Sequence, residues 1–553
     1  MLNDLDIGNI RDYQSAMDVI HQLLNLVESL NRENQELKRQ LQELRDEINR
    51  LKGEQGKPTI RPKKGSPRNC SSENERKEPK EGNKGAKNDR IKTHETRYCY
   101  IDKSVLPKDA QFKGYEPVIV QDVIFEAHNT LFMKEKYHSP SLNKTFLAPL
   151  PPGYQGEFGP AIKSLAIKLS VDTNVTQPRM LDLFEDAGVI LSTGQLSNFL
   201  IKNHDAFHQE KDDLYEAGLK SSPWHHIDDT STRVNGQNQY CQILCNPLYT
   251  AYFTTPNKSR LTVIVVLRNF SGRTFLLNEE AFLYVDAFKL PASVVQMLHA
   301  FPKNHQIPEQ DFLRLIEKHL PNLGPQQRTH VLDAAAVAAY HAQLEFPIIR
   351  MFICDDAPQF KLITEDLSLC WVHDGRLYKK LEPCIPYHQK LLDAFLDQYW
   401  DFYRQLLAYQ QHPSMDDHLR LENEFDNLFS TVTGYYALDQ RIAKTKDKKS
   451  ALLMVLDHPE IPLHNPAYIG GTELAARTRV RKRKVSFGTR TEEGTKAWDT
   501  FMSLSATAKK LGINFYSYLY DRISRSFNIP NLADIISQRA KELHLAASWD
   551  SSP

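Results

Sequence analysis

Leucine recurs every seventh residue at Leu23, Leu30, Leu37, Leu44 and Leu51, and three positions before each stand Ile20, Val27, Asn34, Leu41 and Ile48. This spacing, with Leu at d and mostly apolar residues at a, predicts a two-stranded coiled coil over residues 13–52. Asn34, the polar exception at a, favours a parallel, in-register homodimer by pairing with its own copy. Flanking charges agree, since Glu33 can reach Lys38 of a partner helix and Glu47 can reach Lys52. The competing reading is one amphipathic helix laid on a globular body.

The pattern then breaks. Residues 53–95 hold almost no apolar side chains and many Gly, Pro, Lys and Glu, a composition that cannot bury a core and predicts a disordered basic linker. Short alternating segments such as "PVIVQDVIF" (117–125) predict a small β-rich domain over 96–155. Within 156–222, a helix over about 178–186, a turn at Gly188 and a second helix capped by Ser192 predict a helix-turn-helix. Its small core would be Leu181, Phe184, Val189, Leu196 and Phe199. If it lies in a major groove, Thr193, Gln195, Ser197, Asn198 and Lys202 are the candidate DNA contacts.

From 224 the chain reads as strands: "HHIDDTSTRV", "QYCQILCNP" and "LYTAYFTT", joined tightly at Asn235-Gly236 and Asn246-Pro247. "RLTVIVVLRN" is strand or helix; periodicity does not decide. A helical insert (about 275–345) precedes the apolar run "FPIIRMFIC", and the first part of an α/β core would span 223–375. Residues 376–460 read as a helical insertion with "LLDAFLDQYWDFYRQLLAYQQ" as its clearest helix, and 461–553 as the end of the core with C-terminal helices.

Bulk composition narrows the class. The chain has 553 residues, 41% hydrophobic and 25% charged. "LTVIVVL" is far short of the ~20 apolar residues a membrane helix needs, and the acidic "MLNDLDIGN" lacks signal-peptide order. Seven cysteines without a CxxC pair favour a reducing cytoplasm over a disulfide framework. Cys241 and Cys245 read as buried small hydrophobes. The formal net charge is zero, yet residues 52–92 carry 13 Lys/Arg against six Asp/Glu, and "RTRVRKRK" (477–484) has six basic side chains in eight. A polyanionic partner therefore remains open.

Two predicted strands run into paired aspartates, Asp228-Asp229 and Asp355-Asp356. Buried unpaired carboxylates are costly and usually share a cation or a proton. If the first of these strands lies beside the strand that delivers Asp355, and the helix starting near Thr472 packs alongside, then Asp228, Asp355 and Glu473 converge. Three carboxylates could hold two Mg²⁺ ions about 3.5–4 Å apart for phosphodiester chemistry. The plain alternative is turn chemistry, which places Asp after strands for its own reasons.

The blocks "IDDTSTRVNG", "CDDAPQF", "CWVHDGRLYKKL" and "TELAARTRVRKRKVSFGTRTEEGTKAWDTFMSL", in this order, resemble the DDE transposases of bacterial insertion sequences, most closely the insertion-sequence sixty-six group. The resemblance spans about 95–545. It implies an α/β RNase H-like catalytic core with helical insertions, preceded by coiled coil, small β element and helix-turn-helix. It also implies two Mg²⁺ (or Mn²⁺) ions per site at Asp228, Asp355 and Glu473, and double-stranded DNA, both element ends and target, as partner. A bacterial cytoplasmic, nucleoid-associated protein follows. Asp229 and Asp356 are then neighbours rather than ligands. Cys370 and His373 match the group's "CWxH" block and are expected to fix a structural junction rather than bind zinc.

Departures from the group matter too. Its CxxC zinc element is missing here, where only Cys99 occurs and "KYHSPSLNK" (136–144) has no cysteine, so no structural zinc is expected. The group's asparagine before the glutamate is displaced, with Asn465 eight residues ahead of Glu473. Arg477, Arg479, Arg481, Lys482 and Arg483 are expected to neutralise DNA phosphates. His225 and His226 read as strand residues, and Trp400 as core in preference to a base-stacking platform. The rival functions are a catalytically silent transposase-derived DNA-binding protein and an RNase H-like nuclease that does not join strands.

Overall fold

The computed structural model describes residues 12–51, 92–102, 104, 110, 112–116, 118–154, 156–464 and 472–550. Residues 53–91 of the basic linker and Asn465 lie outside them. Helix α1 (Tyr13–Leu51) is followed by a hairpin of β1 (Lys136–Ser139) and β2 (Lys144–Leu147). Residues 118–125 form no strand, contrary to their alternating pattern. Val118, Val120, Val123 and Ile124 are each more than three-quarters exposed, so no packed surface rewards the extended conformation there.

Next come α2 (Pro160–Val171), α3 (Gln177–Asp186) and α4 (Thr193–Ile201). They enclose a small core of their own from Ala166, Met180, Phe184, Leu196 and Phe199, with Leu181 and Val189 at its margin. Ser192 Oγ accepts from the Gln195 N–H at 3.2 Å, which satisfies one orphan donor and starts α4. Helix α5 (Asp205–Lys220) then leads into the main sheet.

That sheet is mixed, and the body is α/β. Strands β3 (Trp224–Val234), β4 (Gln237–Cys245) and β5 (Thr250–Thr255) form an antiparallel meander. Asn235 and Gly236, both at positive φ (48° and 76°), make the β3–β4 turn, as a two-residue hairpin loop requires. "RLTVIVVL" is a helix, α6 (Arg260–Leu267), capped by Ser259. The insert contains β6 (Thr274–Phe275), α7 (Glu279–Ala287), α8 (Ala292–Leu298), β7 (Ile307–Pro308), α9 (Glu309–His319) and α10 (Pro325–His341). Strands β8 (Met351–Cys354) and β9 (Asp366–Leu369) complete a sheet of order β5-β4-β3-β8-β9, with β3–β8 and β8–β9 parallel.

The remainder is helical: α11 (Trp371–Lys379), α12 (Pro386–Gln411), α13 (Met415–Leu428), α14 (Tyr436–Lys446), α15 (Lys449–Leu452) and α16 (Met454–Asp457), then α17 (Thr472–Ser486), α18 (Glu492–Lys510), α19 (Phe515–Ile523), α20 (Leu532–Leu543) and α21 (Ala547–Asp550). The insertion helices join the core through one continuous apolar cluster. Trp400 belongs to it, 5% exposed and packed where Gly375 leaves room for its ring. It offers no stacking surface. Cys241 and Cys245 are fully buried, and His225 is held in the interior by Ser222 O and Tyr249 Oη.

Helix α1 both touches the body and leaves its heptad seam uncovered. Asn25, Glu28 and Arg32 hydrogen-bond to residues 381–385 and 434–436, while Leu23, Leu30, Asn34, Leu37 and Leu44 face solvent. No helix among the described residues is long and apolar enough to cross a membrane.

Candidate active site

The β3–β8 register fixes the first two carboxylates. Trp224 pairs with Met351, His225 with Phe352 and His226 with Ile353, after which the strands part. Asp228 and Asp355 each follow two residues later, so side-chain alternation sends both to the same side. Strand β3 does not end at its aspartates; it continues beside β4 to Val234.

Helix α17 lies on that side. Tyr252, Ile243 and Asp228 are cross-strand partners at one level of the sheet, and Tyr252 Oη donates to Ala475 O at 3.2 Å. The first turn of α17, with Glu473, therefore sits over the sheet at the height of Asp228. Helix α11 closes the third side. Its Arg376 reaches Glu473 at 2.6 Å, and its His373 lies within electrostatic range of Asp228.

Electrostatics sorts the four aspartates. Asp229 pairs with Lys258 at 3.1 Å and accepts from Gln359 at 2.7 Å. Asp356 is bracketed by Lys361 at 2.7 Å and Lys448 at 2.6 Å. Among the described residues, Asp228 accepts the Asp229 N–H alone, at 2.8 Å, and Asp355 the Ala357 N–H alone, at 3.2 Å. Neither has a Lys or Arg within ion-pair distance among the described residues. Burial pushes the Asp228 carboxyl up to about 7; His373 opposes the rise and the like charge of Asp355 adds to it. His373 itself is raised to about 9, first by the Cys370 sulfur beside it, against burial, and further by Asp228.

Glu473 is buried at 8% exposure, and its carboxylate is held by Arg376 and Arg477, each at 2.6 Å. Among the described residues, no group of three or more His, Cys, Asp or Glu side chains is placed to hold a metal ion. Asp228 and Asp355, half-buried and close to each other, fit a cation, since neither is paired with a Lys or Arg among the described residues. Glu473 would first have to exchange its arginines.

Cys370 and His373 stand at the β9–α11 junction, where Cys370 N donates to Cys354 O at 3.0 Å. What the residue pattern did not reveal is that His373 also lies within electrostatic range of Asp228. Arg376, Lys258, Lys361, Lys448 and Gln359 were likewise missed. Only Arg376 had a legible signal, lying one helical turn beyond His373.

The basic run divides by helical face. Arg481 is exposed, Arg483 is half-buried and donates to Ser231, and Arg477 is exposed apart from its bond to Glu473. Arg479 and Lys482 are corrections: they are 1% and 2% exposed and cannot meet DNA phosphates. Arg479 pairs with Asp499 at 3.3 Å and bonds Thr254 at 2.8 Å. Lys482 bonds Ser170, and both lie over the Trp498 ring. Burial lowers the Lys482 ammonium to about 8. On α4, Thr193 and Asn198 are exposed, as is Lys202 at its C-cap, while Gln195 and Ser197 are half-buried.

No family model matches the chain, and no solved structure matches it. The uncharacterized protein y4jO of Sinorhizobium fredii (strain NBRC 101917 / NGR234) is 32% identical over 331 residues, covering 59% of this chain and 100% of that relative. With the relative matched along its whole length, the chain belongs to the same family as y4jO.

Proposed function

We propose that the chain is a DDE-type DNA transposase that cuts insertion-sequence ends and joins them to target DNA. The observation that carries this reading is the division among the aspartates. Lysines neutralise Asp229 and Asp356, whereas Asp228 and Asp355 stand together, half-buried, with no Lys or Arg in ion-pair distance of either among the described residues and with the His373 imidazole acting on Asp228. The sheet order supports an RNase H-like core, with an antiparallel meander extended by two parallel strands and the carboxylates where β3 and β8 separate. Two Mg²⁺ or Mn²⁺ ions held by Asp228, Asp355 and a released Glu473 would activate the attacking oxygen and steady the leaving one.

The protein's own contribution is positioning and charge. Hydrolysis at an element end breaks one P–O bond and leaves a 3′-hydroxyl; that hydroxyl then attacks a target phosphorus and expels the next 3′ oxygen. Arg376 and Arg477, once freed from Glu473, would take up phosphate charge. The exposed face of α4, with Arg481 and Arg483, would hold the duplex. Lys202→Ala should weaken DNA binding evenly across sequences and lower the salt-dependence slope by about one, read by titration at several salt concentrations.

The direct test incubates the full chain with labelled duplexes carrying its element ends and either metal. Wild type should give 3′-end cleavage and joined products, and Asp228→Ala and Glu473→Ala should give neither. Nicks without joined products would favour a nuclease. The two arginines on Glu473 favour a second reading, a silent DNA-binding descendant, which would bind ends and cut under no metal.

A further inference from the structure

Helix α1 carries two stripes of opposite character. Its contacts with the body run through His21, Asn25, Glu28 and Arg32, the b and f positions of the heptad in which Ile20 is a and Leu23 is d. Asn25 donates to Gly434 O at 2.8 Å and accepts from Tyr436 N at 3.0 Å. Arg32 donates to Leu381 O at 3.0 Å and Tyr435 Oη at 2.7 Å. Glu28, 3% exposed, accepts from Cys384 N at 2.9 Å and Ile385 N at 3.3 Å.

Those N–H groups belong to the start of α12, which has no side-chain cap and no acidic residue in its first turn. Glu28 supplies from another part of the chain both the missing acceptor and the negative charge that a helix N-terminus favours. The clamp is thus specific and polar.

The a and d positions lie on the far side of α1. Ile20, Leu23, Val27, Leu30, Leu37, Leu41, Leu44 and Ile48 are between 42% and 64% exposed, a continuous apolar stripe of the kind that requires a partner. Glu33 at g and Lys38 at e complement each other only across a second helix, and Asn34 at a selects a parallel copy in register.

We propose that a second copy of this chain covers the seam, and that the Glu28 clamp turns the zipper into a rigid yoke holding two bodies on opposite flanks at equal height. Each body docks on the outer side of its own helix, so the clamps lie about two helix diameters, ~20 Å, apart. This arrangement goes beyond the transposase reading and requires no DNA chemistry.

The test uses the full chain. Light scattering should give a dimer mass. In a chain with Cys70, Cys99 and Cys384 replaced by Ser, Leu37→Cys should form an oxidisable crosslink between copies that the same chain without it lacks, because a parallel pair sets identical d positions together. Leu30→Glu with Leu37→Glu should yield monomers whose body melts as before. Glu28→Ala with Arg32→Ala should stay dimeric, while X-ray scattering shows the distance between bodies spread out. A monomeric wild type, a larger assembly, or a Leu37→Cys protein that fails to crosslink would overturn the second copy as occupant. A scattering profile unchanged by Glu28→Ala with Arg32→Ala would overturn the yoke. None of these readouts depends on cleavage.

Discussion

At pH 8 and without divalent metal, the Asp228→Asn protein should melt at a higher temperature than the wild type, although it is expected to be inactive. Burial raises the folded-state carboxyl from 3.8 to about 7. The folded protein therefore keeps a proton that the unfolded chain releases between about pH 4 and pH 7. Asp228 favours folding least above pH 7, and its contribution falls as pH rises through that window. At about 1.4 kcal/mol per unit, the removable penalty is on the order of a few kcal/mol. Asparagine has no charge to bury, so the advantage of the variant should appear at pH 8 and vanish near pH 4. Mg²⁺ should close the gap by stabilising the wild type alone, since a ligand bound only by the folded state shifts the melt. Thermal melts at both pH values, with and without Mg²⁺, decide it; equal melting at pH 8 would show that Asp228 carries no buried charge.

Asp499→Ala should be among the most damaging substitutions in the core. It leaves the Arg479 guanidinium, 1% exposed, without its counter-ion, and also removes the acceptor for Thr254 N and Oγ1. Breaking one side of a buried ion pair costs about 3–5 kcal/mol. Arg481→Ala, two residues along the same helix, should change stability by no more than about 0.5 kcal/mol and should instead weaken DNA binding. Denaturant unfolding of the two variants separates them. Comparable stability losses would mean that the two arginines share one environment.

That contrast shows where the residue pattern was opaque. "RTRVRKRK" reads as uniformly solvated, yet Ala475, Arg479 and Lys482 follow i, i+4, i+7 and form the inward stripe of α17. Periodicity locates an inward face when that face is apolar; here it is cationic, and its partners lie in other elements. The lysines that sort the aspartates were hidden for the same reason, since Lys258, Lys361 and Lys448 reach the site from three separate segments. Features governed by short-range chemistry were legible: the heptads of α1, the Ser192 cap and the Asn235-Gly236 turn. The adjacency of the strands bearing Asp228 and Asp355 could also be anticipated, because two buried apolar runs had few other places to go. The exposed stretch 118–125 had local strand preference but pairs with no strand among the described residues, so its pattern misled.

The length of α1 has a mechanical consequence. Its last clamping residue is Arg32, and the helix runs on to Leu51, about 28 Å farther at 1.5 Å per residue. Residues 33–48 of that stretch are exposed on every side, so the helix stands out from the body as a lever whose fulcrum is the clamp.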